Sequence, residues 1–424
     1  MPTVVEEDSK GLRLKPTLGL FDATAISVGA IVGAGIFVVT GIAAGLAGPA
    51  LTISMVIAAV ISLFTALSFV ELTAWQPKEG SIYEYTYQLI SPFAGFLTGW
   101  MWIISNTFAG AAVSLGFANY LCALFPVLPS NWVAAFLCIL FTVLNFFGIR
   151  QSALLNNILV AAKLSILGLF VVYGLMYVDS SNFASFNPLQ LGVLSGAFYI
   201  FFAYGGFARV AVVAEEVKDA KRNVPRAILI SLAISTIVYI FVGLVAVGLI
   251  GAPKLAESNS PLTEAISATG NSLAVYTVSA GGLIATASVL LTSILGVSRM
   301  AYAMARRKDL PQALNKLHPE YNTPYYSIWI LGAAMALLVL FVDIARVVAV
   351  STFALLFYYT LANVSALRLK VENRVYPKIV PFLGAATCIT LLAFTLSASP
   401  HACIVGVGVL TAGAVYYLVK KIFT

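Results

Sequence analysis

The chain has 424 residues, of which 60% are hydrophobic and 10% are charged, and its mean hydropathy is +0.96. These values exclude an ordinary soluble globular domain. The formal net charge of +7 does not indicate nucleic-acid binding, because membrane topology explains the positions of the basic residues.

Apolar segments long enough to cross a bilayer recur along the whole chain. The predicted fold is therefore an all-α integral membrane protein of about 12 transmembrane helices. We place the spans at 18–46, 49–75, 91–121, 131–148, 153–178, 190–216, 227–251, 272–304, 325–342, 345–369, 376–397 and 401–420.

The basic residues predict the orientation. Of the 24 Lys and Arg residues, Lys254 and Arg346 fall in outer loops, and Lys163, Arg209 and Arg299 fall within spans. The other 19 lie on one side, and positively charged loops stay in the cytoplasm. We expect a multi-pass protein of the cell membrane with both termini cytoplasmic.

Span one contains the stretch Gly29-Ala-Ile-Val-Gly-Ala-Gly35. Three glycines in seven residues disfavour a continuous helix, and broken backbone persists in a bilayer only where it lines a cavity or binds a ligand. We predict a hinge between two half-helices, with the N–H groups near Gly33, Ala34 and Gly35 facing a small anion such as a carboxylate. Close helix packing through small residues is the alternative.

Two ionisable residues lie within spans two and five. Glu71, near the inner end of span two, is interpreted as a structural anchor, with a direct coupling role as the alternative. Lys163 lies about ten residues from the inner end of span five, or roughly 15 Å deep, too far for its stem to reach water. A charged amine at that depth is costly. It is either a proton-carrying or cation-substituting group or a fixed hydrogen-bond donor.

Span six repeats the interruption at Ile200-Phe-Phe-Ala-Tyr-Gly-Gly-Phe207. It begins on the outer side, whereas span one begins on the inner side. Two broken helices at the start of two five-span blocks of opposite orientation indicate an inverted repeat. We predict a cytoplasmic segment 1–17, repeats 18–178 and 190–369, and two appended helices with a cytoplasmic C-terminus at 376–424. Arg209, on the inner half of span six, has no assigned role.

Span eight places the hydroxyls of Thr286, Ser288, Thr292 and Ser293 in an otherwise apolar helix. They either bond to their own backbone, complete a cation site or hold the Lys163 amine. The four cysteines show no metal-ligand spacing, and no metal or other cofactor is expected.

In these stretches the chain resembles the amino acid–polyamine–organocation superfamily of secondary transporters. The matching stretches are Val28-Gly-Ala-Ile-Val-Gly-Ala-Gly-Ile-Phe37, the region from Glu71 to Gly80-Ser81, Phe202-Ala-Tyr-Gly-Gly-Phe207, Ala214-Glu-Glu through Val224-Pro-Arg-Ala227, and Ala301-Tyr-Ala-Met-Ala-Arg306 through Leu310-Pro311. They occur in the family's order over at least three quarters of the chain. The resemblance implies a five-plus-five inverted repeat whose first and sixth helices are broken.

The resemblance also implies a substrate site between spans one and six. The α-carboxylate would meet the backbone at Gly33, Ala34 and Gly35. The α-amino group would meet carbonyls near Ile31, Phe202, Ala203 and Gly205, and Phe202 or Tyr204 would cover the site as an aromatic gate. Lys163 matches the span-five lysine of proton-coupled members, and would approach the Gly29 carbonyl and a span-eight hydroxyl, best matched by Ser288. The family's acidic residue after the span-six Gly-Phe is Ala208 here.

The leading hypothesis is uptake of neutral or broadly varied amino acids by alternating access, coupled to a proton through Lys163 rather than to sodium. An amino acid exchanger is the alternative, and a channel or membrane sensor fits less well. An enzyme fits least, because no nucleophile–base spacing is present. The expected partners are the amino acid and the lipid bilayer, with no nucleic acid and no obligatory protein partner.

Overall fold

The computed structural model describes residues 16–33, 35–77, 81–148 and 153–423. Three sequence predictions fall partly outside these ranges: the first 15 residues of the N-terminal segment, Ala34 of the substrate site, and the Gly80 end of one motif.

The described chain is mostly helical, with turns and loops between the helices and one isolated parallel bridge between Leu18 and Val217. Its longer helices are Leu20–Ile31, Thr40–Ala47, Leu51–Trp75, Ser81–Leu89, Pro92–Leu124, Ser130–Phe146, Ala153–Gly174, Leu191–Tyr204, Ala220–Glu257, Ser272–Arg306, Tyr325–Phe341, Ile344–Arg368, Ile379–Ala393 and Pro400–Phe423. Shorter elements are the π-helical turn Gly35–Val39, the α-helical segments Arg209–Val212, Pro261–Ser267 and Thr395–Ala398, and the 3₁₀ turns Gly48–Ala50, Leu175–Tyr177, Ser180–Phe183, Ala214–Glu216 and Gln312–Asn315.

These helices account for all twelve predicted spans. Among the described residues, nine helical segments are long and apolar enough to cross a membrane, and the first of them, Leu20–Trp75, contains both span one and span two. The shorter apolar helices Ser130–Phe146 and Tyr325–Phe341 supply spans four and nine. Each has 17 residues, which is at the short end of the length that spans a bilayer. The all-α membrane fold is confirmed.

The helix packing is related between the two halves of the chain. Span two packs on span seven, span three on span eight, and span four on span nine. Span one packs on span seven, and its counterpart, span six, packs on span two. This reciprocal pattern is the one that two similar five-span units of opposite orientation would produce. The repeat boundaries at 18–178 and 190–369 stay predictions.

The core lies where spans one, two, three, six, eight and ten meet. Alanine, glycine and serine are abundant on these helices, and they let the backbones approach closely. Larger buried side chains, such as Phe69, Phe207 and Tyr359, fill the remaining space with edge-to-face or tilted ring contacts at centroid distances of 5.2–5.7 Å. The two broken spans pack against continuous helices: span one against span seven, and span six against spans two and ten.

Candidate substrate site

Span one is broken at the predicted position. Its first helix ends at Ile31, Val32 and Gly33 are not helical, and a π-helical turn begins at Gly35. The glycines also allow neighbours to approach: a Cβ on Gly33 would lie 2.8 Å from Val289 Cγ2, and a Cβ on Gly35 would lie 2.4 Å from Ala203 Cβ. The hinge prediction is confirmed, and the alternative of close packing holds at the same residues.

Span six is broken in the same way. Its helix Leu191–Tyr204 ends before Gly205, turns follow to Ala208, and a one-turn helix covers Arg209–Val212. A Cβ on Gly206 would lie 2.3 Å from the Ala30 carbonyl carbon. Thus the segment after each break contacts the segment before the other, through Gly35 against Ala203 and through Gly206 against Ala30. The sequence predicted the two breaks but not this reciprocal contact.

A central cavity of about 60 Å³ lies between the two breaks. At roughly 15 Å³ for each water molecule, this volume holds about four of them. Only a small solute therefore fits without movement of the surrounding helices. Six predicted substrate residues line it: Ile31, Gly33, Gly35, Phe202, Ala203 and Gly205. The seventh, Ala34, lies outside the described residues. The polar lining of the cavity comes from Ser105, Asn106, Arg209, Ser293, Ser351 and Tyr358.

Two tyrosine hydroxyls hold the carbonyls freed by the breaks. The Tyr239 hydroxyl on span seven lies 2.8 Å from the Ile31 oxygen and 3.2 Å from the Ala203 oxygen, so it bridges the two broken spans. The Tyr359 hydroxyl on span ten donates to the Gly205 oxygen at 2.9 Å. Buried carbonyls require such donors. The single proton of the Tyr239 hydroxyl is shared between the Ile31 and Ala203 carbonyls, and the Gly205 carbonyl has its own donor. Each of these three carbonyls, which are predicted to meet an amino group, keeps at least one lone pair for it.

Lys163 is hydrogen-bonded to the backbone at the hinge of span one. Its side chain is 1% exposed, and its amine donates to the carbonyls of Gly29 and Val32, each at 3.2 Å. Both carbonyls lie within four residues of the break, where regular helical bonding stops. The predicted contact with Gly29 is present. The predicted contact with Ser288 is wrong, because among the described residues the amine bonds only to those two carbonyls. The Ser288 hydroxyl donates to Ala285 of its own helix at 3.0 Å.

The two candidate gate residues lie in different surroundings. Phe202 is half-buried and lines the central cavity. Tyr204 is fully buried, and its ring packs 5.2 Å from that of Tyr239 while its hydroxyl lies 3.4 Å from the Met55 oxygen. Successive residues on a helix point about 100° apart, so two residues two positions apart do not share a face. Of the two, Phe202 alone is placed to cover the cavity.

A larger vestibule of about 220 Å³ lies beside the central cavity. Its lining includes Leu18 before span one, Ala153 at the start of span five, and Arg299 towards the end of span eight. These positions all lie on the side predicted to be cytoplasmic. Ala30 and Arg209 line both the vestibule and the central cavity, so they form the wall between them. Gly29 and Ser288 line the vestibule rather than the cavity.

Glu71 lies away from the cavity, in a structural role. One carboxylate oxygen accepts hydrogen bonds from the backbone N–H groups of Val375 and Tyr376, at 2.9 and 3.0 Å. The other lies 3.6 Å from Arg374 Nε. Glu71 thus holds the connection between spans ten and eleven against span two. This geometry agrees with the interpretation as an anchor.

Sequence reasoning missed the tyrosines and most of the polar lining. Tyr239, Tyr359, Ser105, Asn106 and Ser351 stand in apolar spans without a local pattern that distinguishes the face towards the cavity. The spacing of residues along one helix does not show which of its faces is turned towards a neighbouring helix. The break positions, which depend on local glycine content, could be identified from sequence, as could the depth of Lys163.

The sequence is similar to those of known membrane transporters over most of its length. A sequence model of the amino acid permease family matches residues 18–419. An uncharacterized transporter of Mycobacterium tuberculosis is 35% identical over 414 residues, covering 97% of this chain and 92% of the relative. The branched-chain amino acid permease of Bacillus subtilis is 32% identical, with 89% and 88% covered, and its methylthioribose transporter is 31% identical, with 90% and 88% covered.

Proposed function

This chain belongs to the amino acid permease family, and from that premise we propose that it takes up amino acids by proton-coupled secondary transport. The observation that supports this most directly is the crossing of two broken spans at one cavity. Backbone dipoles of opposite sign meet there, as a zwitterion requires.

The two ends of the substrate follow from the polarity of the broken helices. The first N–H groups of the segment that begins at Gly35 precede its first full turn, so they suit the α-carboxylate. Of these, the Phe37 N–H also donates to the Gly33 carbonyl, at 3.5 Å. The carbonyls at the end of helix Leu191–Tyr204, with that of Ile31, suit the ammonium group. The Tyr239 hydroxyl sets the spacing between the Ile31 and Ala203 carbonyls, and Phe202 covers the cavity.

The vestibule supports alternating access. It reaches the central cavity across a wall that Ala30 and Arg209 form. The segments on the vestibule side of the two breaks are bonded to each other, since Ser27 donates to the Phe207 carbonyl at 3.1 Å and Lys218 N–H donates to the Leu18 carbonyl at 2.9 Å. These segments would move as one unit, opening the cavity to the vestibule in one state and closing it in the other.

Lys163 supplies the coupling in this proposal. Its amine bonds to two carbonyls at the hinge of span one, so gain or loss of a proton changes the strength of those two bonds. A protonated amine would hold the hinge in one geometry, and a neutral amine would release it. A proton taken up on one side and lost on the other thereby biases the direction in which the site opens.

The test is uptake of labelled amino acids into proteoliposomes with an imposed pH gradient. Wild-type protein should accumulate substrate only when the outside is more acidic. Lys163→Ala should abolish gradient-driven accumulation while keeping measurable substrate binding. Lys254→Ala, the same change in a predicted outer loop, is the control and should transport as wild type does.

Two outcomes separate this proposal from its alternatives. Uptake by the wild type that ignores the pH gradient but requires counter-substrate preloaded inside the liposomes would identify an exchanger. A Lys163→Ala variant whose transport keeps the wild-type response to the gradient would remove Lys163 from the coupling mechanism.

A further inference from the structure

Arg209 is a cation at the substrate cavity that forms no ion pair with any described side chain. It is the first residue of the one-turn helix after the span-six break, and it lines both the central cavity and the vestibule. Its guanidinium donates to the Thr292 carbonyl at 3.0 Å and to the Asn106 side-chain oxygen at 3.5 Å. Both partners are neutral, and the second bond is at the limit of hydrogen-bond length.

The charge and most of the donors of Arg209 are uncompensated. A guanidinium has five N–H donors, and two are accounted for by these bonds. Among the residues that the structure describes, no carboxylate lies within 4.0 Å of it; Glu216 shares the vestibule but forms no ion pair with it. Leaving such a charge unpaired in a membrane interior is strongly unfavourable. A ligand that brings a negative charge would therefore bind well here.

Ser293 provides a second and independent sign of a missing ligand. Its side chain is 1% exposed and lines the central cavity, and its hydroxyl has no hydrogen-bond partner among the described groups. Other hydroxyls of span eight bond to their own helix: Thr286 to Gly282 at 2.7 Å, and Ser288 to Ala285 at 3.0 Å. Four other buried hydroxyls, on Ser62, Thr107, Ser235 and Thr395, also lack a partner among the described groups, but of the five only Ser293 lines the central cavity, where a ligand could reach it.

We propose that Arg209 and Ser293 form a subsite for a carboxylate on the side chain of the transported amino acid. This rests on the proposed function and specifies its substrate class as acidic amino acids. The α-carboxylate is assigned to the half-helix at Gly35, and Arg209 lies after the other break, against spans three and eight. A short side chain extending from the breaks towards those spans would end between the guanidinium and the Ser293 hydroxyl. The small cavity favours aspartate and glutamate over larger anions.

The first experiment uses wild-type protein in detergent and in proteoliposomes. Thermal stability is measured with L-glutamate, L-aspartate, L-glutamine, L-asparagine, L-leucine and chloride, each alone, in a buffer that contains no other carboxylate. The same amino acids then compete against labelled glutamate uptake. We expect the two acids to stabilise the protein and compete about 10- to 100-fold better than their amides, the ratio for hydrogen bonds to a charged group.

The second experiment uses variants. Arg209→Gln should reduce the glutamate-to-glutamine preference to near one, Arg209→Lys should retain part of it, and Ser293→Ala should reduce it by a smaller factor. Arg346→Gln is the matched control, because Arg346 is exposed and pairs with Asp343 at 2.9 Å away from the cavity; its preference should equal that of the wild type.

The results separate this inference from the proposed function. Wild-type uptake of leucine with no preference for acids over amides would overturn the subsite and leave amino acid transport intact. If Arg209→Gln loses glutamate uptake and glutamine uptake equally, Arg209 would be assigned to the α-carboxylate instead, and the proposed subsite would also be overturned. Stabilisation by chloride as strong as that by glutamate would indicate a simple anion site. Absence of binding or transport of any amino acid would refute the proposed function itself.

Discussion

Replacement of Gly206 by alanine tests whether the two breaks must touch. A Cβ at this position would lie 2.3 Å from the carbonyl carbon of Ala30 and 2.5 Å from both the Ala30 oxygen and the Ile31 nitrogen. Ordinary contact begins near 3.4 Å, so spans one and six would have to separate by about 1 Å. The obstructing atoms belong to the backbone, and no side-chain rotation can relieve the clash.

The size of the effect follows from that displacement. Insertion of a methyl group into a packed site costs about 1–3 kcal/mol, which is roughly 5- to 150-fold in an equilibrium constant. Here the strain falls where backbone groups from both spans must meet one ligand, and a shift of about 1 Å can cost around 100-fold at such a site. We expect the ratio of maximal uptake rate to KM to fall by about 10- to 100-fold.

Uptake kinetics in proteoliposomes measure this ratio, and two further variants serve as a second test and a control. Gly35→Ala should behave similarly, because its Cβ would lie 2.4 Å from Ala203 Cβ and 2.5 Å from Ala203 Cα. Gly168→Ala is the control: it lies within helix Ala153–Gly174, and its Cβ would have nothing within 4 Å. That variant should keep wild-type uptake and be as stable or slightly more stable, because alanine favours helix.

The reasoning would be refuted by a Gly206→Ala protein that is monodisperse, melts at the wild-type temperature and transports with unchanged KM and maximal rate. That result would mean that spans one and six can part by an ångström without consequence. The close approach of the two breaks would then have no part in binding.

Two other substitutions test the groups that hold the site. Tyr239→Phe removes the hydroxyl that bridges Ile31 and Ala203. Loss of a donor to buried carbonyls costs about 1–3 kcal/mol, so the KM for uptake should rise roughly tenfold. An unchanged KM would show that the bridge is dispensable. Glu71→Gln weakens the bonds to Val375 and Tyr376, so we expect about 2 kcal/mol of lost stability and a lower melting temperature in detergent, with proton coupling intact. Uncoupled transport at a wild-type melting temperature would instead favour the coupling role for Glu71.

The two breaks were predictable because their cause is local. Glycine disfavours helix wherever it stands in a chain, and the clusters around Gly33 and Gly205 mark both interruptions. The depth of Lys163 also followed from counting residues along span five. Its contact with Gly29 came from the family resemblance, and the failed contact with Ser288 shows the limit of that route. A serine on span eight can bond to its own helix, and the motif does not say which face it occupies.

The role of Arg209 could not be read from sequence. No role was assigned to it from the sequence alone. The groups that Arg209 does contact, Asn106 and Thr292, are about 100 and 80 residues away. No pairwise spacing connects such positions.

The amino-acid sequence alone determined that this is a helical membrane protein with two interrupted spans and a lysine at mid-depth, because hydropathy, glycine content and charge asymmetry are properties of single segments. Its resemblance to a family of transporters added the function. Tertiary structure alone decided what those interruptions face. Packing between spans far apart in the chain fixes the rotation of each helix about its own axis. That rotation decides which tyrosines bind the carbonyls at the breaks, which aromatic ring covers the cavity, and which cation forms no ion pair with the described residues.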